Sequence, residues 1–321
     1  MASHQKEAMT GWLQRSLAPL GVPVSIIADD PMLLEAACAG YDEWRTSDLA
    51  DAPMIEIRLW LSAAAAGTAR TSIRVEKERL TLSGGGIKGD ADALTGRARC
   101  GVPADLLDNA PALRAEIVDP LLLFLLARRG RPPLHAAGVM LGDTALLLAG
   151  PSGVGKSTLA LAAAAQGMAV LSDDTIHVQR EPRLRVWGFS SPVHVFPNEA
   201  PRGTHPVRTQ GGKCKAAVAL PPALALRRHA DRAVLIVLDR GERLALDPIT
   251  ADAARTRLMR LDAGFDLLPR QSAAAIAELA AGGPWRLALT DNPDAAITLL
   301  RVSLGRPGGG RGPRQDEQPG G

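Results

Sequence analysis

Aromatic residues occupy only 3% of the 321 positions, and no block of Lys and Arg interleaves with them. That scarcity argues against a nucleic-acid-binding surface, although the net charge is +3 and the pI about 9.0. The basic excess is scattered, as expected for the solvated faces of an Arg- and Ala-rich chain; a cationic groove for an acidic partner is the alternative. Cysteine is sparse. Cys38, Cys100 and Cys214 are odd in number and far apart, which argues against a disulfide framework and against metal-ligand spacing, and fits a reducing cytoplasm. Long apolar runs are missing. The longest, residues 121–127, is far short of the roughly 20 residues that a spanning helix needs. The opening "MASHQKEAMTGW" lacks the apolar centre of a signal peptide. The expectation is a soluble, cytoplasmic protein with neither nucleic-acid nor membrane partners. A homo-oligomer stays open.

What the chain does have is length and apolar content. With 46% hydrophobic residues it can build one large or two modest cores. Two domains are expected, because a single core seldom grows past roughly 250–300 residues. Residues 1–20 carry Trp12, Leu13, Leu17 and Leu20 on one side of a helical projection, and predict a short amphipathic helix. "VSIIAD" (24–29) predicts a strand and "PMLLEAACAGYDEWR" (31–45) a helix. β-rich stretches follow at 54–62, 71–76 and 79–89, with a turn at the three glycines 84–86. This is the pattern of a small α+β domain over residues 1–130, and it holds no catalytic constellation. Residues 112–129 predict a helix that restarts at Asp119, with Asp119 as N-cap and Pro120 in the first turn, packing between two domains.

From residue 134 the character changes. "LHAAGVML" and "TALLLAG" are strand candidates joined by "GD", a hairpin signal. "STLALAAAAQG" predicts a helix stopped by Gly167. "MAVLSDD" (168–174) predicts a buried strand ending in two carboxylates, and "RAVLIVLDRGE" (232–242) another strand. Ala-rich helices alternate with "PWRLALT" to about residue 304, closing a second domain at 131–305. The Gly/Pro-rich tail, 306–321, is expected to be disordered.

The stretch "GPSGVGKST" at 150–158 fits the phosphate-binding pattern G-x-x-x-x-G-K-[ST], with an apolar strand before it and a helix after it. Gly153 and Gly155 let backbone N–H groups turn inward around a phosphate without Cβ clashes. The helix N-terminus adds positive potential. Lys156, expected to face solvent, reaches the β/γ oxygens, and the Ser157 hydroxyl is offered to Mg²⁺. ATP is therefore expected on Gly150, Ser152, Gly153, Val154, Gly155, Lys156, Ser157 and Thr158.

Three further features bear on the reaction. Asp173 and Asp174 end the next strand; in a parallel βαβ unit they would lie beside the loop, able to hold Mg²⁺ or to take a proton from an attacking hydroxyl. A solvated turn at a strand end would explain them equally well. His135 starts the hairpin that precedes the loop, which brings it back to the loop's level; a lone His there is more often a rim residue. "AVLIVLD", ending at Asp239, resembles a Walker-B strand and competes for the metal.

Taken together, "LHAAGVM…LLLAGPSGVGKSTLALAAAAQGMAVLSDD" resembles the catalytic domain of HPr kinase/phosphorylase over residues 134–174. The resemblance implies a phosphoenolpyruvate-carboxykinase-like P-loop kinase domain of α/β class that phosphorylates a serine hydroxyl on a small protein. It implies Asp174 as the base, His135 as the active-site His, Lys156 and Ser157 as phosphate and metal residues, and Asp173 as the adjacent acid. The sequence departs from the family at Pro151, where an Asp is usual, and at Arg185 in "LRVWG", where an acid is expected. An Arg at that place would repel a second Mg²⁺ and argues for a kinase without phosphorylase activity. The family's later catalytic Arg has no direct match; Arg202, Arg208 and Lys213 lie in its neighbourhood, in a Gly/Pro-rich stretch expected to be a mobile substrate loop. The overall layout is similar to that of HPr-kinase-related proteins, including lasso-peptide tailoring kinases. An ATP- and Mg²⁺-dependent kinase acting on a peptide or small protein is the expectation. A P-loop ATPase or nucleotide-binding regulator using Asp239, or a small-molecule kinase, are the alternatives.

Overall fold

The computed structural model describes residues 11–46, 54–64, 67, 71–189, 192–196, 206–208, 214–225, 227–259 and 269–305. The tail at 306–321 lies outside them. Two compact mixed α/β units make up the chain, Met1–Arg129 and Gly130–Gly321. Among the described residues no helix is long and apolar enough to cross a membrane.

The first unit is a seven-stranded sheet. Its strands are β1 (Leu13–Leu17), β2 (Val24–Ala28), β3 (Ile55–Ser62), β4 (Ser72–Glu76), β5 (Arg79–Gly84), β6 (Ile87–Asp92) and β7 (Arg97–Pro103), in the order β1-β2-β3-β7-β6-β5-β4. Period-two alternation explains its one buried face: Ile55, Ile57 and Leu59 point inward on β3, Leu80 and Leu82 on β5. Helix α1 (Pro31–Cys38) joins β2 to its parallel neighbour β3. Helices α2 (Ala110–Leu113) and α3 (Asp119–Arg128) follow the last strand, and α3 packs on β3 and β6.

Three local expectations fail here. Residues 13–17 form a strand, not a helix, because pairing with β2 satisfies their backbone; Leu13 stays exposed while Leu17 is buried. The helix after β2 stops at Cys38, because Gly40 turns into the left-handed region at φ +80°. Asp119 is not an N-cap. It has helical dihedrals inside a run that passes from α2 through a π turn (Arg114–Val118) into α3, and Asn109 caps the start. The wider π turn lets Pro120, which has no N–H, follow without breaking the run.

The second unit is a three-layer α/β arrangement. Its strands are β8 (Pro133–Leu141), β9 (Thr144–Ala149), β10 (Val170–Ser172), β11 (Thr175–Gln179), β12 (Arg185–Gly188), β13 (Val193–Val195), β14 (Pro206–Arg208), β15 (Cys214–Val218), β16 (His229–Ala230), β17 (Arg232–Arg240), β18 (Ala245–Pro248) and β19 (Trp285–Leu289). Its helices are α4 (Lys156–Ala165), α5 (Pro222–Ala225), α6 (Ala251–Leu258), α7 (Pro269–Ala281) and α8 (Pro293–Leu304). The main sheet runs β16-β12-β11-β8-β9-β17-β19-β18, with β10 also on β8. A small sheet runs β13-β15-β14. The continuous apolar run of β9 follows from burial on both faces. Leu146 and Leu148 enter the core with α4 and α8, while Ala145 and Leu147 enter the one with α6 and α7.

Candidate phosphate site

The strand β9 ends at Ala149, and the loop 150–155 leads into α4. Gly150 is closely packed: a Cβ would lie 3.0 Å from Val154 and 3.1 Å from Leu238, tighter than ordinary contact. Gly153 and Gly155 have φ of +84° and +118°, which L side chains rarely adopt. No side chain caps the N-terminus of α4, so its first N–H groups remain the natural partners of an anion.

Lys156 is not solvent-facing. It is buried, and its Nζ donates to the carbonyls of Gly150 at 2.8 Å and Pro151 at 3.0 Å. The four-carbon stem is long enough to fold the amine back onto the loop's own oxygens. Burial pushes its pKa down to about 8; Asp174 opposes this and Lys215 adds to it.

Strand register assembles the rest. Ala136 pairs with Ala149 and His135 with Thr175, so Gly150, His135 and Thr175 sit level on three neighbouring strands. His135 Nδ1 lies 3.5 Å from Asp174 Oδ1. Burial above all, and Lys156 next, lower the His135 pKa, with Asp174 opposing. The imidazole is therefore neutral near pH 7.

The route that brings Asp174 there differs from the expected βαβ unit. β10 does not pair with β9; both pair with β8, which lies between them. Residues 170–179 run along β8 as one broken strand, and the two acids sit in the break. They have different surroundings. The Asp174 side chain is 54% exposed and lines the cleft. Asp173, expected as a metal ligand, is 3% exposed, accepts the backbone N–H of His194 at 2.7 Å and is not among the cleft-lining residues. Its pKa is raised by burial, against the pull of the His194 N–H.

The cleft encloses about 550 Å³, open solvent included. Besides Ser152, Gly153, Gly155, Lys156, Ser157 and Thr158, it is lined by His135, Asp174, His194, Val195, Phe196, Lys215 and Arg240. Gly150 and Val154 shape the loop from behind. Sequence reasoning missed His194, Lys215 and Arg240. Arg240 had a signal: it ends β17, the parallel neighbour of β9 in which Val237 pairs with Ala149. His194 and Lys215 sit on the small sheet, whose pairing no local pattern announces.

Other candidates fall elsewhere. Asp239 is held by Arg286 at 3.2 Å and by the Arg240 N–H at 2.9 Å, and does not line the cleft. Arg185 is not beside the site. It pairs with Gln179 at the far end of β11, about 13 Å along the strand from Thr175 at ~3.3 Å per residue, and ion-pairs with Asp231. It is Gly188 that lies opposite Ile176. The expected repulsion of a second metal by Arg185 therefore loses its basis. Arg202, Lys213 and the Arg208 side chain lie outside the described residues. Among the described residues, no group of three His, Cys, Asp or Glu side chains could hold a metal ion.

No family model and no curated protein matches the chain. Among solved structures, the Hpr(Ser) kinase/phosphatase from Coxiella burnetii is similar at 15% identity and a TM-score of 0.30. The match covers 54% of this chain and 95% of that one. The cleft residues, rather than this distant likeness, bear on what the site can do.

Proposed function

We propose that the second unit is a kinase that binds Mg·ATP at residues 150–158 and transfers its terminal phosphoryl group to a serine-type hydroxyl of a peptide or small protein. A ribosomally made peptide of lasso type is the first acceptor to test. The observation that carries this is the meeting of a phosphate loop with the His135–Asp174 pair at one cleft.

The donor set fits a polyphosphate. Lys156, Lys215 and Arg240 supply cationic groups, the α4 N-terminus supplies backbone N–H groups, and Asp174 is the one carboxylate among the described lining residues. It also fits magnesium, which keeps several waters and takes one or two protein oxygens plus phosphate oxygens. The Ser157 hydroxyl and the Asp174 carboxylate are the oxygens available for it. When bound, the metal neutralises charge on the phosphates.

Lys156 leaves the loop carbonyls and follows the charge on the transferring group. Asp174 accepts the proton of the acceptor hydroxyl as that oxygen bonds to the phosphoryl group. His135, neutral through burial, orients Asp174 without cancelling its charge. An Asp174 at the cleft, against an Asp239 held by Arg286, favours transfer over an ATPase built on Asp239.

The test is phosphate accounting with ATP labelled at the γ position and a pool of serine-containing peptides and small proteins. Label on a peptide or protein serine is the expected result. Label only in inorganic phosphate overturns the proposal in favour of an ATPase, and label only on a small metabolite in favour of a small-molecule kinase.

A further inference from the structure

The two adjacent acids have different surroundings: Asp174 lines the cleft, and Asp173 is buried outside its lining. β13 is an edge strand of the small sheet. Val193 and Val195 of β13 and Ala216 of β15 are buried in the core that holds α4. The cleft is lined by His194, Val195 and Phe196 at β13 and by Lys215 on β15. His194 pairs with Ala217, so His194 and Lys215 share one face of the sheet, on neighbouring strands.

An edge strand presents outward N–H groups that need a partner when they are covered. For His194 that partner is Asp173, with Oδ2 at 2.7 Å from the amide N and 3.8 Å from the imidazole Nδ1. The carboxylate stands where the carbonyl of a further strand would be. It sits in the break between β10 and β11, one residue before the acid that faces the cleft. Lys215, on β15, which pairs with the strand so held, is near enough to push down the pKa of both Lys156 and His135.

We propose that Asp173 is a positioning residue: by accepting the His194 N–H it docks the small sheet at the β10–β11 break, and so sets Lys215, His194 and Phe196 at the phosphate loop. Its consequence for ligand binding rests on the nucleotide-binding function proposed above; the docking itself does not. A hydrogen-bond acceptor is what the role demands, not a negative charge or a metal contact.

The test compares Asp173→Asn, which keeps an oxygen acceptor and loses the charge, with Asp173→Ala, which loses both. In the full-length chain, hydrogen exchange at the His194 amide and ATP binding by calorimetry are measured together. In Asp173→Ala exchange should rise about tenfold, as for loss of one intramolecular hydrogen bond, and ATP binding should weaken about as much. Asp173→Asn should stay close to wild type in both. Lys215→Met should weaken ATP binding and leave His194 exchange unchanged. Unchanged exchange in Asp173→Ala overturns the proposal. So does an Asp173→Asn protein that loses ATP binding as fully as the Ala variant, since Asp173 would then act through its charge. If Asp173→Ala does not fold, Asp173→Asn decides alone: protection and binding retained support the role, and loss of either overturns it. A wild-type protein that binds no ATP would remove the kinase function, while the exchange measurements would still decide the docking.

Discussion

In the first unit, Tyr41 donates to Asp119 at 2.5 Å, and Arg114 lies 3.5 Å from the same carboxylate and stacks on the Tyr41 ring. These groups are partners for one another. The recess at Arg15 and Arg45 is similar: Glu35 and Asp42 already hold its cations. In the second unit, the charges of Asp174 and Lys215 act on Lys156 and His135 around a single opening. Polar groups that close on each other stabilise a fold. Polar groups that converge on a cleft are left to meet a ligand. On the proposed function, the chemistry belongs to the second unit, and changes there should outweigh changes in the first.

The largest effect is expected at Lys156. Lys156→Ala should lower phosphoryl transfer by about a thousandfold, as for loss of one preorganised donor to transition-state charge. Because Lys156 is buried on two loop carbonyls, the variant should also lose about 1–3 kcal/mol of stability. Single-turnover rates and denaturant midpoints check both. Substantial residual transfer would remove the loop from the chemistry.

Next come the acids. Asp174→Asn should cost about a hundredfold or more in kcat, in the range of general-base catalysis. Asp239→Asn should do far less, because that carboxylate is engaged by Arg286. The reverse ranking would make Asp239 the working acid.

A pH effect should separate the units. His177 is buried in the second unit, its Nδ1 3.1 Å from the Arg131 carbonyl, and burial lowers its pKa to about 4. Below its ordinary value of 6.5 the unfolded chain takes a proton that the folded one refuses. The stability this group contributes is therefore present above pH 6.5 and is lost as pH falls toward 4, by up to about 3 kcal/mol. His177→Gln, which keeps a donor for the carbonyl, should flatten that slope in denaturant titrations between pH 7 and 4. The described residues of the first unit contain no His, so its exchange-protected core should lack this step.

The smallest effect belongs to the first unit's surface. Glu35→Gln breaks the Arg15–Glu35 pair, whose acid is 64% exposed. It should change stability by less than about 1 kcal/mol and leave transfer untouched. A loss of activity there would give the first unit a part in the reaction.

Local chemistry made much of this legible in the amino-acid sequence. Glycines at 150, 153 and 155 before Lys156 specify a tight phosphate loop, because positive φ and close backbone approach admit little else. The Gly142–Asp143 turn specifies the hairpin, and the hairpin's length returns His135 to the level of Gly150. Runs buried on both faces mark the central strands of the second unit. Tertiary pairing decided the rest. Residues 13–17 are a strand because β2 lies beside them, whatever their helical spacing. Arg185 left the site because an antiparallel register puts Gly188, not Arg185, opposite Ile176. Lys215 and Arg240 entered it from strands dozens of residues away in the chain. Asp173 and Asp174 are neighbours with the same side chain; one meets an edge-strand N–H and the other an open cleft. Partners remote in sequence settle which is which, and a local pattern carries no record of them.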